Sequence, residues 1–102
     1  MARKVIWADA AVTDLGAAAE YISKDSPAYA SSSVLRSLEA ARSLGDLPER
    51  GRVVPELKNE DIREIFVHNY RMIYRTEELR VSIVAFIHGR RDFSQAWDEQ
   101  KR

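Results

Sequence analysis

The chain has 102 residues, 45% of them hydrophobic and 31% charged, which suits one domain with a modest core and a polar surface. Sixteen Lys+Arg balance sixteen Asp+Glu, and a formal charge of zero argues against a protein whose main work is gripping phosphates. It has no cysteine, which excludes disulfides and thiolate metal sites, and two histidines alone cannot build a histidine-rich one. No apolar run approaches a membrane span, and Met1-Ala2-Arg3-Lys4 leads into too short an apolar stretch for a signal peptide, so a cytoplasmic protein is expected.

In chain order, Arg3 to Trp7 reads as a short strand, with Val5, Ile6 and Trp7 supplying the propensity. Asp9 offers an N-cap oxygen for a helix to about Lys24, in which Ala8, Ala11, Val12, Leu15, Ala18, Ala19 and Ile22 form one apolar stripe. Ser26-Pro27 starts a second helix that runs to about Leu44, with Val34, Leu35, Leu38, Ala41 and Leu44 on one side. Gly45 is placed just past its end. The two helices make an αα-hairpin.

Between Asp46 and Glu60, two prolines and a glycine predict a loop packed over the domain's edge. From Ile62 the apolar period changes to two, predicting strands at Ile62 to Val67, Tyr70 to Thr76 and Val81 to Ile87. Their short turns imply an antiparallel meander. The nearly continuous apolar run of the last strand makes it central and covered on both faces. The tail from Asp92 to Arg102 is a short helix or frays, with Phe93 and Trp97 spaced to dock it on the sheet. The expected fold is therefore α+β, in strand-helix-helix-three-strand order, an antiparallel sheet covered on one face by a helical hairpin. One domain spans residues 1–102.

Several stretches resemble a known family in the right order along nearly the whole chain. Gly51-Arg52-Val53-Val54-Pro55-Glu56 looks like the G-R-x-x-P-E loop of ParE-like toxins, and Ile62-Arg63-Glu64-Ile65 looks like the strand that follows it. Tyr70-Arg71-Met72-Ile73-Tyr74-Arg75 and Ile87-His88-Gly89-Arg90-Arg91-Asp92 resemble the family's later strand motifs. The N-terminal residues Trp7, Ala8, Ala10, Asp14, Leu15, Tyr21 and Ile22 also fit. The chain thus resembles toxins of the RelE/ParE superfamily, closest to the ParE-like ones, which are made together with a neutralising antitoxin.

That resemblance implies one of two activities. RelE-like members cut messenger RNA on the ribosome, a reaction that needs a base, phosphate-holding cations and an acid. Here the candidates are Arg63, Arg71, His88 and Arg91, but the second-strand lysines are missing and Trp97 stands near the C-terminal tyrosine, where an indole transfers no proton. His88 is the one replacement with a suitable intrinsic pKa. ParE-like members with an established target poison DNA gyrase, and the neutral charge tilts the reading toward such an inhibitory binding protein rather than an enzyme. A third reading is a member that retains only complex formation.

The resemblance implies no cofactor and no metal. Its partners would be a ParD-like antitoxin and gyrase, or alternatively the ribosome, with no membrane and no strong direct nucleic-acid binding. Target contact is placed at His88, Arg90, Arg91, Asp92, Phe93 and Trp97, and antitoxin contact at Leu15, Ala18, Ala19, Ile22, Val34, Leu38, Arg71 and Arg75. Plainer roles compete at several positions. Arg71 and Arg75 could sit on an exposed strand face with Arg63 and Glu64 as cross-strand partners. Asp92 could simply hold Arg90 or Arg91, Trp97 could anchor the tail, and His68 could be a solvated turn residue. Trp7, Tyr21 and Tyr29 read as core or interface.

Overall fold

The computed structural model describes residues 2–100. In order it runs β1 (Lys4–Trp7), α1 (Asp9–Ser23), α2 (Pro27–Asp46), β2 (Arg52–Val53), β3 (Ile62–Val67), β4 (Tyr70–Thr76), β5 (Arg80–His88) and α3 (Phe93–Gln100). The tail expected to reach Arg102 is helical through Gln100; Lys101, Arg102 and Met1 lie outside the described residues.

The five strands form one sheet in the order β1-β5-β4-β3-β2. β3, β4 and β5 make the expected antiparallel meander, but β1 pairs with β5 in parallel, Val5 opposite Val81 and Trp7 opposite Ile83, so the sheet is mixed. The reason is topological. Two antiparallel helices between β1 and the meander return the chain to the starting end, so β1 enters in the same direction as β5. β5 is thereby buried between two strands, which is why its apolar run is continuous.

Both faces of the sheet are covered. On one, Ala11, Ala18, Ala41 and Leu44 of the hairpin pack on Ile65, Val67, Met72, Tyr74, Val81, Ile83 and Phe86. On the other, Phe93, Ala96 and Trp97 of α3 and Val54 of the β2–β3 loop pack on Ile62, Ile73, Ala85 and Ile87. A second, smaller layer thus joins the single helical layer the sequence implied. Opposite Ile73 and Tyr74 the register shifts past Val84 of β5, a bulge that resets the alternation of that strand, so that Ile83 before it and Phe86 after it both face the hairpin.

Local details differ from the sequence reading in instructive ways. Ala8, not Asp9, is the N-cap of α1; Asp9 lies in the first turn, where its charge complements the helix dipole. Ser26 does cap α2, accepting from the Tyr29 N–H at 3.1 Å, with Pro27 inside it. The buried stripe of α2 is Ala30, Ser33, Ser37, Ala41 and Leu44, whereas Leu35 is 61% and Leu38 39% exposed. Small residues face inward because α1, itself alanine-rich, lies close against them.

Gly45 does not follow the helix but lies within it. A Cβ there would stand 2.6 Å from the Arg3 carbonyl oxygen, and the Arg3 N–H donates to the Gly45 carbonyl at 2.8 Å. The glycine therefore admits β1 against the helix backbone. The loop after α2 also contains β2, two residues long and invisible to periodicity.

Candidate functional site

Alternation along the strands decides which charged residues meet. Glu64 and Arg71 lie on the α3 side of the sheet with Ile62 and Ile73, while Arg63 falls on the opposite side with Ile65 and Val67. Glu64 stands opposite Arg52 of β2 and diagonal to Arg71 of β4. Its side chain is fully buried. Arg52 Nε donates to Glu64 Oε2 at 2.7 Å and Arg71 Nε donates to Glu64 Oε1 at 2.5 Å.

The remaining arm of Arg71 grips Glu56, donating from Nη1 and Nη2 at 3.0 and 2.7 Å. Its guanidinium lies over the Phe93 ring, 4.3 Å from the centroid. The hydrogen bonds to Glu56, with those to Glu64, hold Arg71 more firmly protonated than a free arginine. In return Arg71 lowers the pKa of Glu56. The exposed strand face considered for Arg71 is therefore not what the structure shows: it is 8% exposed in a closed ion-pair network.

Tyr74 ties the same loop down from the other face. Its hydroxyl donates to the Pro48 carbonyl at 2.8 Å and accepts from the Gly51 N–H at 2.9 Å. Arg63 Nη1 donates to the Gly51 carbonyl at 2.9 Å.

At the C-terminal end of β5, Asp92 caps α3, accepting from the Gln95 N–H at 3.0 Å, rather than pairing with either neighbouring arginine. Arg91 pairs with Glu99 at 3.1 Å, both more than half exposed. His88 Nδ1 accepts from the Arg90 N–H at 3.0 Å, and its ring meets Tyr70 edge-on at 4.9 Å. Phe93 and Trp97, stacked 5.8 Å apart, are buried against the sheet. Phe66, His68, Asn69, His88, Gly89 and Arg90 surround an open cleft of about 280 Å³. The sequence reading missed Phe66, which is 57% exposed with Arg52 5.3 Å above its ring; an aromatic at an outward position of β3 was the available signal.

Asp14 links three elements here. Its carboxylate accepts from the Phe86 N–H at 3.0 Å, where β5 outruns β1, and from the Gln100 side-chain amide. Burial raises its pKa against the opposing pull of these hydrogen bonds and of Arg91. The folded chain therefore keeps a proton that the unfolded chain has released. Between the ordinary value of 3.8 and the raised one, stability falls as pH rises. Asp14→Asn should flatten that dependence, and urea unfolding of both proteins between pH 4 and 7 checks it; parallel curves would refute it.

On the hairpin side, Leu15, Ala18, Ala19, Ile22 and Val34 line one slot between α1, α2 and the sheet, together with Ser33, Ser37, His68, Tyr70 and Phe86. Five expected antitoxin contacts thus converge. Leu38 lies apart, in a cleft of about 420 Å³ beside β1 with Val5, Trp7 and Arg42, and Arg75 is exposed on β4. Arg71 faces the other side of the sheet. His68 is not a solvated turn residue: it adopts φ of 56°, is half-buried, and bonds Tyr29 Oη through Nδ1 at 3.0 Å. Burial, then the nearby Arg36 charge, lowers its pKa.

Among the described residues no cluster of three or more His, Cys, Asp or Glu is placed to hold a metal ion, and no helix is long and apolar enough to cross a membrane. With this geometry in hand, comparison with known proteins is specific. The family model described as "ParE toxin of type II toxin-antitoxin system, parDE" matches residues 5–93. The chain belongs to the ParE toxin family. This ParE-family chain is 37% identical over 89 residues to a protein named Toxin RelE2 from Caulobacter vibrioides, covering 86% of the chain and 97% of that relative. It is thus a type II toxin of the RelE/ParE superfamily. Its fold matches a chain of the structure titled "Chromosomal ParDE TA system from P. aeruginosa" with a TM-score of 0.69, over 84% of this chain and 95% of that one. At 18% identity the ParE-family chain shares with it the fold alone.

Proposed function

We propose that this chain stops growth by trapping DNA gyrase on broken DNA in the cytoplasm, and that a ParD-like antitoxin silences it. The observation that carries the choice of target is the dispersal of the cations an RNA-cutting site would need. Arg71 is neutralised by Glu56 and Glu64, Arg63 is spent on the Gly51 carbonyl across the sheet, and Arg91 pairs with Glu99. Phosphoryl chemistry needs such groups together and unpaired. Blocking a large partner needs only surface.

Half-buried His88 and exposed Arg90 and Arg91, at the end of β5, then make target contact, and Asp92, Phe93 and Trp97 act by fixing α3 beneath them. Antitoxin contact falls on the hairpin. Arg91→Ala should weaken gyrase trapping by about tenfold, the loss of one interface anchor. It should leave the melting temperature and antitoxin binding unchanged, because its exposed pair contributes little to folding. The test incubates the antitoxin-free chain with gyrase, ATP and supercoiled plasmid, then adds detergent and protease. Linear DNA that disappears on adding antitoxin supports the reading.

Intact plasmid, with cleavage of messenger RNA on added ribosomes, would instead support the nuclease. Its structural support is the cleft at Phe66, His88 and Arg90, where an unstacked base has an aromatic face and a cation within one concavity.

A further inference from the structure

Buried polar atoms are almost always satisfied, so each exception in a folded chain calls for a cause. The slot between the helices holds two. Ser33 Oγ, in a residue only 5% exposed, and His68 Nε2 have no hydrogen-bond partner. The neighbouring serines show that this is not forced by the helix: Ser32 and Ser37 both donate to carbonyls of the preceding turn. His68 is equally constrained, since Tyr29 Oη occupies its Nδ1 and leaves Nε2 turned inward. Around them the walls are apolar, and the enclosed space is about 10 Å³, room for one water-sized group.

We infer that Ser33 and His68 are the residues by which this toxin selects its antitoxin: they receive the tip of one neutral hydrogen-bonding side chain on an otherwise apolar partner segment. The inference rests on the proposed antitoxin contact at the hairpin and adds its chemistry. A hydroxyl tip, from Ser or Thr, is about the size the slot admits and both gives and accepts hydrogen bonds. Both polar atoms are already buried and unpaired in the free chain, so a hydroxyl gains hydrogen bonds there that an alanine or leucine at that place does not, and this difference is the selectivity.

The charge around the slot narrows the partner further. Arg36 of α2 lies close enough to lower the pKa of His68, is exposed, and has no ion pair or hydrogen bond among the described residues. The exposed Leu35 adjoins it in the helix. A segment with a carboxylate near its polar residue and an apolar flank complements that arrangement.

The test uses the intact chain and the full-length protein encoded beside it as the antitoxin probe. In the free toxin Ser33→Ala should raise the melting temperature by on the order of 4 °C, since it removes an unsatisfied buried hydroxyl. The same variant should weaken probe binding by about tenfold. Opposite signs on folding and binding are the signature. His68→Asn, which tolerates the left-handed backbone and offers a polar group to Tyr29 while deleting Nε2, should also weaken binding about tenfold. Wild-type affinity in both variants overturns the inference while leaving the antitoxin reading intact. A lowered melting temperature for Ser33→Ala overturns it too, since the hydroxyl would then be satisfied internally. A probe that fails to bind wild-type toxin counts against the antitoxin reading itself.

Discussion

Glu64→Ala should lower the unfolding free energy by about 3 kcal/mol, at the low end of the range for breaking a buried ion pair. Its carboxylate is wholly buried and accepts from Arg52 on one side and Arg71 on the other. Removing it leaves Arg71 in a site it shares with Ile62, Ile73 and the Phe93 ring, with one carboxylate instead of two. The loss stops short of the upper range because Glu56 still holds both Nη atoms. Arg52→Ala, by contrast, should cost under about 1 kcal/mol, since that side chain is 58% exposed and solvent screens its charge. Urea unfolding of the three proteins at neutral pH distinguishes the cases. Equal small losses for Glu64 and Arg52 would show that the network adds nothing beyond surface pairing.

The second large effect is expected at Gly51. A Cβ there would overlap the Glu64 carbonyl and stand 2.6 Å from Tyr74 Oη. Neither neighbour has freedom to retreat: one is strand backbone, and the other is held between the Pro48 carbonyl and the Gly51 N–H. Gly51→Ala therefore combines overpacking with a broken buried hydrogen bond, a loss of about 3 kcal/mol or more. Gly16 makes an internal control. It lies exposed within α1 with nothing within 4 Å of a built Cβ, so Gly16→Ala should stabilise by about 0.5–1 kcal/mol. The same chemical change would then carry opposite signs at two sites, and thermal melts of both variants read this directly. A tolerated alanine at Gly51 would mean the loop moves away without cost.

These two positions change how the family motifs are understood. Gly51, Arg52, Glu56, Glu64, Arg71 and Tyr74 all belong to stretches that carry the resemblance, and all meet in one knot joining β2, β3, β4 and the loop between. Much of what makes the family legible in this chain is fold-building charge and packing. The residues left for recognition are fewer: His88, Arg90 and Arg91 at one end of the sheet, and the slot and exposed side chains of the hairpin.

By itself the sequence determined the element order, the antiparallel meander and the family, because periodicity and ordered motifs are local properties of the chain. The four-residue spacing of Phe93 and Trp97 likewise fitted a tail docked on the sheet, whereas the capping role of Asp92 emerged only from the structure. What only the tertiary structure decided depends on partners far away in sequence. The parallel entry of β1 follows from where the hairpin returns the chain, and Gly45 is needed because β1 crosses it. Arg71 is neutral in effect because Glu56 and Glu64, fifteen and seven residues away, turn to the same face. The unsatisfied Ser33 and the inward His68 nitrogen exist only once helix meets sheet. Charge and polarity can be read from a chain, but whether a group is paired is settled by what the fold brings against it.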